Sequence, residues 1–321
     1  MENEHTVKLI SLDTIPLQKV EWLVYPFIPC GKITIIQGDP GEGKTTFILQ
    51  LIARLTTGRP AWDGMPPMTP DNVIYQTAED GLSDTIKPRL VAAGASCEKV
   101  LVIDDSDRAL TLGDDRLEQA IVQTHARLVV LDPIKGYIGA GVDMHRANEI
   151  RPLMHKVGIL AEKHHCAIVL IGHMNKNSGE KSSYRGLGSI DFQAAARSVL
   201  VVGRIKEDPT LRVVCPTKSS LAPEGKAIAF RLDPAQGFQW MGEYDISAED
   251  LLSGNNRGHK LREAQKFLQE VLAERALPQT EIETAAEQKG IKPKTLRNAR
   301  YELGVTSRKV GKQWLWELPQ E

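Results

Sequence analysis

The amino-acid sequence predicts an α/β chain. Its core is a mainly parallel sheet with helices on both faces, extended by antiparallel strands and followed by a small helical unit with a hairpin. Three observations point there. Short β-branched runs alternate with longer amphipathic stretches through the first 240 residues. The strand runs are apolar throughout rather than alternating, as strands buried on both faces must be. Past residue 243 the apolar pattern weakens and a different texture begins. A chain of 321 residues is long enough for about two such units.

Residues 32–37 (KITIIQ) read as the first strand, and 45–57 as a helix that buries Phe47, Leu49, Leu51 and Ile52. Strands follow at 72–76, 100–103, 128–131 and 167–171, separated by helices at 82–93, 115–124 and 148–163. The last of these carries Ile150, Leu153, Met154, Val157 and Leu160 at helical spacing. Strands at 199–203, 211–215 and 227–232 are joined by turn sequences, so they are expected as the antiparallel extension. Domain bounds are placed at 1–242 and 261–321, with a linker over 243–260 containing Ser253-Gly254-Asn255-Asn256. The second unit should hold helices at 261–275, 280–288 and 293–303. Thr280 and Glu283 are spaced as a capping box, and Pro293 suits a first turn. A hairpin of 305–309 and 313–318 turns at Val310-Gly311-Lys312. Three helices and then a hairpin describe a winged helix-turn-helix.

Composition narrows the function classes. With 41% hydrophobic and 25% charged residues, wholesale disorder and fibrous repeats are excluded. Forty basic residues against 41 acidic give a net charge of −1, so any nucleic-acid contact must be local. Cys30, Cys97, Cys166 and Cys215 lie far apart with no CxxC, which argues against a disulfide scaffold or a zinc finger. The first residues lack the pattern of a signal peptide, and no apolar run approaches the roughly 20 residues of a membrane span. A cytoplasmic protein is the expectation.

Gly38-Asp39-Pro40-Gly41-Glu42-Gly43-Lys44-Thr45 satisfies GxxxxGK(S/T) between a strand and a helix, with Thr46 next in the helix. The glycines let backbone N–H groups turn inward around phosphates, and the helix N-terminus adds positive potential. Lys44 would reach the β- and γ-phosphates of ATP, and the Thr45 hydroxyl would hold Mg²⁺. Asp132 ends an apolar strand, where a carboxylate can serve the same ion or simply cap the strand. Glu79, in YQTAED, can polarise an attacking water or belong to a solvated acidic loop, and Asp80 is its rival. His173, in IGHMNK, can touch the γ-phosphate or be a structural histidine.

WLVYPFIPCGKITIIQGDPGEGKTT, YQTAED, LVVLDP and IGHMNK occur in an order and spacing that resembles the RecA-like P-loop ATPases. Residues 22–232 look most like the AAA_25 group, which includes plasmid RepA-type hexameric replicative helicases. The resemblance implies Glu79 as catalytic base and His173 as γ-phosphate sensor. It also implies a ring whose ATP sites are completed by a neighbour. Arg197, in GSIDFQAAARS, stands in the place of the arginine finger, and Lys218, in KSSLAP, in that of the lysine of K-x-R/N-x-x-P. Ser220 departs from the related DnaB-type pattern, which has a second finger arginine there.

Two loops stand where RecA-like rings contact DNA. One is 135–146; the other is 174–188, which carries Lys176, Lys181 and Arg185 among small polar residues and is otherwise a solvated loop. In the C-terminal unit Lys294, Arg297 and Arg300 share a helix, and Arg308 and Lys309 lie in the hairpin. That basic set suits DNA, while a protein-docking winged helix is the alternative. Trp314 and Trp316 are expected to close the core. Taken together, these features predict an ATP-driven, oligomeric DNA motor or helicase of plasmid, phage or integrated-element replication, working with DNA, further copies of itself and other replication proteins. A RecA/KaiC-like ATPase switch that binds DNA or a partner without unwinding is the second reading. Glu79, Asp132 and His173 argue against a third, a scaffold that barely hydrolyses ATP.

Overall fold

In the computed structural model, which describes residues 9–174, 190–254, 257–311 and 313–319, the apolar runs assemble into a nine-stranded sheet. β1 (Ile33–Gly38), β2 (Val73–Thr77), β3 (Val100–Leu101), β4 (Leu128–Asp132), β5 (Ala167–His173) and β6 (Ser198–Ile205) run parallel. β7 (Asp208–Ser219), β8 (Ala227–Asp233) and β9 (Gly237–Tyr244) add the antiparallel extension. The order across the sheet is β9-β8-β7-β6-β1-β5-β4-β2-β3.

Alternate residues of the central strands feed two cores. Ile36, Val73, Tyr75, Leu128 and Val130 pack with Phe47, Ile48 and Leu51 of α1 (Lys44–Thr57). Ile35, Ile74, Val129 and Leu131 face the other way, against Leu117 and Ile121 of α3 (Asp115–Thr124) and Met154 and Val157 of α4 (Ala147–His164). Both faces of these strands are thus dry, which is why they read as unbroken apolar runs.

Several elements differ from expectation. The helix read at 82–93 opens with a π-type turn, Leu82–Ile86, in which the Ile86 N–H reaches back to the Gly81 carbonyl, and only then becomes α2 (Lys87–Ala92). β9 has no counterpart in the sequence reading. It is an edge strand held mainly by Phe238 and Trp240, which pack on Phe47, Trp62 and Phe230, and two aromatics are too few to show a period. Residues 243–253 are packed structure, unlike the linker expected there. Ser247 caps α6 (Ala248–Ser253), and buried Leu251 sits over Gly203 of β6. A Cβ on Gly203 would come within 2.9 Å of Leu251, so the glycine admits the helix.

Beyond this lie α7 (Arg257–Leu272), α8 (Gln279–Gln288) and α9 (Pro293–Glu302). A three-stranded sheet accompanies them, with β10 (Leu277–Pro278) and β11 (Thr306–Val310) flanking β12 (Gln313–Glu317). Ala264, Phe267, Leu268, Ile282, Leu296, Ala299 and Trp316 form a core of their own. The Thr280–Glu283 capping box does not form: β10 pairing holds Pro278 extended and starts α8 at Gln279, whose side chain binds Glu283 at 2.7 Å instead. Trp316 closes the core as expected, whereas Trp314 stays half exposed near the hairpin tip.

Candidate active site

The phosphate loop is shaped by where β1 ends. A Cβ on Gly38 would lie 2.2 Å from the Val202 carbonyl of β6, so only glycine lets the strands run this close. Gly41 and Gly43 have φ of +79° and +94°, turns that an L side chain resists, and Gly43 delivers the chain into α1 at Lys44. Asp39 and Pro40 form the exposed crest of the loop. Lys44 is 6% exposed and its Nζ donates to the Gly38 and Asp39 carbonyls at 2.9 and 2.8 Å. Burial pushes its pKa down, against the pull of Asp132, Asp39, Glu42 and Glu79. A phosphate brought to this ammonium would reverse that burial cost. The neighbouring Glu42 carboxylate lies 3.4 Å from Arg204 of β6, which also donates to the Gly41 carbonyl.

One turn into the cleft, the Thr45 hydroxyl donates to Asp132 Oδ2 at 2.7 Å, and the Tyr75 hydroxyl donates to the same oxygen at 3.0 Å. Burial pushes the Asp132 carboxyl up, while these two donors and Lys44 pull it down. A hydroxyl and a carboxylate at the mouth of a phosphate loop are hard oxygen donors of the kind Mg²⁺ takes. Among the described residues no group of three or more His, Cys, Asp or Glu side chains converges as a metal cage. An ion held by Thr45 and Asp132 would therefore complete its shell with phosphate and water oxygens, as Mg²⁺ commonly does.

The facing wall comes from the ends of β2 and β5. The Glu79 carboxylate, 65% exposed, lies 3.8 Å from His173 Nε2, and His173 Nδ1 lies 3.4 Å from Lys44 Nζ. Asp80 is occupied elsewhere. Its backbone closes a turn with the Thr77 hydroxyl, and its carboxylate meets Arg89 at 3.4 Å. Between these walls lies a cleft of about 390 Å³, also bordered by Thr46, Arg89 and Leu232. A larger hollow of about 920 Å³ around Cys215 and Ile246 brings none of these groups together, so volume alone does not mark the site.

The remaining residues singled out in the sequence lie elsewhere. Arg197 is exposed at the start of β6, where its N–H bonds the Ile33 carbonyl. From there to Val202, which passes Gly38, the strand rises about 16 Å at about 3.3 Å per residue. Lys218 pairs with Val199 on the adjoining strand, and its Nζ donates to the Gln193 and Ala194 carbonyls that end α5 (Ile190–Ala195). Burial, with the Arg197 charge adding to it, pushes the Lys218 pKa down. Arg197 and Lys218 thus share the rim of the sheet opposite their own phosphate loop. Lys176, Lys181 and Arg185 lie outside the described residues. In the 135–146 loop Tyr137 is buried and Arg146 pairs with Asp143 and Glu149, both at 3.4 Å. Lys294, Arg297 and Lys309 are exposed, whereas Arg308 pairs with Glu317 at 3.1 Å. Arg300 lies 4.5 Å over the Trp316 ring and donates to Ser307 Oγ at 2.9 Å, turned into the unit rather than out of it.

Tyr75, Arg89 and Arg204 escaped the sequence reading. Tyr75 and Arg204 act on residues distant in the chain, and Arg89 reaches Asp80 across the Gly81 turn and the π-type turn that follows it; no local spacing announces such contacts. No described helix is long and apolar enough to cross a membrane.

The family model AAA_25, described as an AAA domain, matches residues 2–179, more than half of the chain. The DNA repair protein RadA of Halalkalibacterium halodurans is 26% identical over 148 residues, 46% of this chain but only 28% of that protein. The chain therefore spans little more than a quarter of that relative's length. Among solved structures, the RadB recombinase aligns over 66% of this chain and 91% of its own, at 21% identity and a TM-score of 0.45. The ATPase domain of G40P aligns over 66% and 85%, at 14% identity and a TM-score of 0.49. By its matched residues and its phosphate loop, this chain belongs to the AAA_25 family of RecA-like P-loop ATPases.

Proposed function

We propose that the protein is an ATP-hydrolysing DNA motor of the RepA type, working as a ring in the replication of a plasmid, phage or integrated element. The observation that carries the reading is the convergence of Lys44, Thr45, Asp132, Glu79 and His173 on one cleft at the C-terminal edge of a parallel sheet. In the proposed reaction the loop N–H groups and Lys44 hold the phosphates of ATP. Thr45 and Asp132 would hold Mg²⁺, which would neutralise phosphate charge there. Glu79 takes a proton from water as the water oxygen bonds the γ-phosphorus. The bond to the bridging oxygen breaks in line, and ADP leaves with that electron pair. His173, between Lys44 and Glu79, donates to a γ-phosphate oxygen and senses its departure.

The placement of Arg197 and Lys218 supports a shared site. Some 16 Å of strand from its own loop, Arg197 is aimed more easily at a neighbour's nucleotide than at its own, and Lys218 stands on the same rim. The unit of α7, α8, α9 and the β10–β12 sheet has the order of a winged helix-turn-helix, and we assign it to DNA. DNA-stimulated, Mg²⁺-dependent ATP hydrolysis with strand displacement is the expected result for the full chain. ATP-dependent DNA binding without displacement would favour the ATPase switch, and no hydrolysis at all would overturn both.

A further inference from the structure

Resting on the assignment of the C-terminal unit to DNA, we infer that its contact is a face of α9 centred on Lys294 and Tyr301 and flanked by Arg297 and Asn298, with Asn298 and Tyr301 reading base edges of duplex DNA. At about 100° per residue, Leu296, Ala299 and Leu303 define the stripe that packs inward, and all three join the C-terminal core. Directly opposite stand Lys294 and Tyr301, with Arg297 on one side and Asn298 on the other. All four are exposed, and Tyr301 is 88% exposed, the largest apolar surface on the helix.

Charge separates this face from its surroundings. Among the described residues neither Lys294 nor Arg297 has a carboxylate partner. The acid of the same helix, Glu302, instead accepts a hydrogen bond from Gln265 of α7 at 2.8 Å. Two cations expected at DNA are used internally: Arg300 over Trp316, and Arg308 on Glu317. On the side of Arg297 and Arg300, which both border it, a hollow of about 570 Å³ is closed by Glu283 and Glu287 of α8, which repel phosphate and so bound the attractive face there. Of the C-terminal cations expected at DNA, Lys294 and Arg297 on the outer face of α9 and Lys309 of the hairpin therefore remain open to a polyanion, and of these elements the helix is the one whose width enters a major groove. There Asn presents a donor and an acceptor that match the N6 and N7 of adenine. A tyrosine ring can lie against a thymine methyl while its hydroxyl bonds a base edge or phosphate. Lysine and arginine beside them take phosphates and carry no sequence information.

The experiment uses the full chain without nucleotide, selecting from a random duplex library and then measuring affinity against salt. The wild-type protein is expected to enrich a motif. Asn298→Ala with Tyr301→Ala should bind that motif no better than random duplex, a loss of about tenfold or more, with an unchanged melting temperature. Lys294→Ala with Arg297→Ala should weaken enriched and random duplexes alike and flatten the log–log salt slope by about two. Duplex retained without any motif, or a motif untouched by the Asn298/Tyr301 pair, overturns this inference and leaves DNA binding standing. No duplex retained even at low salt overturns the DNA assignment itself.

Discussion

Glu79 and His173 meet at 3.8 Å across the cleft although their strands, β2 and β5, are not neighbours; β4, with Asp132 at its tip, lies between them. Three strand ends thus stand in a row, with the Glu79 carboxylate, the Asp132 carboxylate and the His173 imidazole in sequence. The Glu79 carboxylate is the more exposed of the pair Glu79 and Asp80, and it is the one without an arginine partner, since Asp80 is drawn aside by Arg89.

That difference sets the first prediction. Glu79→Gln should leave ATP affinity within about twofold and reduce turnover by about 10²- to 10⁴-fold, because only proton acceptance is lost. Asp80→Asn should be far milder. Steady-state hydrolysis with a separate nucleotide-binding titration checks this, and the reverse ranking would make Asp80 the base.

Asp132 leads to a prediction with two opposite signs. Burial raises its pKa in the folded protein. The folded state therefore holds its proton more tightly than the unfolded chain, and the penalty for ionising it is present at pH values above the raised pKa. Asp132→Asn removes that penalty and keeps a group able to accept from Thr45 and Tyr75. The free protein should melt at an equal or higher temperature near neutral pH, while the stabilisation by Mg²⁺ and ATP together falls. Melting curves with and without both ligands test it; a lower melting temperature without ligands contradicts it.

A shared site predicts complementation. Arg197→Ala should bind ATP nearly normally and hydrolyse it poorly, with a finger arginine worth about 10³- to 10⁵-fold in turnover. Lys44→Ala should lose nucleotide binding. Mixing the two inactive proteins should restore activity at interfaces that pair a good pocket with a good finger. Wild-type turnover per subunit should also rise with concentration. No restoration, with concentration-independent turnover, would make each subunit self-sufficient.

Asp114 caps α3, accepting from the Arg116 N–H at 3.0 Å and from the Arg116 and Arg108 guanidiniums at 2.7 and 3.2 Å. Hydrogen bonds from Arg116 hold its pKa down at about 2. A depressed carboxylate pKa stabilises the fold above its ordinary value of 3.8, and the benefit disappears as pH falls through about 2. Asp114→Ala should cost about 1–2 kcal/mol at neutral pH and progressively less below pH 4. Urea unfolding at the two pH values checks this, and a pH-independent cost would assign the effect to packing.

Local chemistry carried much of this protein. The glycine spacing of the phosphate loop and the unbroken apolar strands are properties of a few adjacent residues. Helix α3 is found at the residues expected, 115–124, because Asp114 caps it and its apolar period is clear. The end of β4 likewise places Asp132 at the sheet edge. Other decisions belong to the folded chain. Tyr75 lies 57 residues from the Asp132 it supports, and Arg204 sits on a strand far from the Glu42 it meets. Arg300 read as one more cation on a basic helix until Trp316 and Ser307 were brought beneath it by strand pairing. The contacts to Asp132, Glu42 and Trp316 each cross a long sequence separation, and all of them are made by sheet order and helix rotation. A hydrophobic pattern records which side chains are buried, but not which distant group a buried or half-buried polar atom will meet.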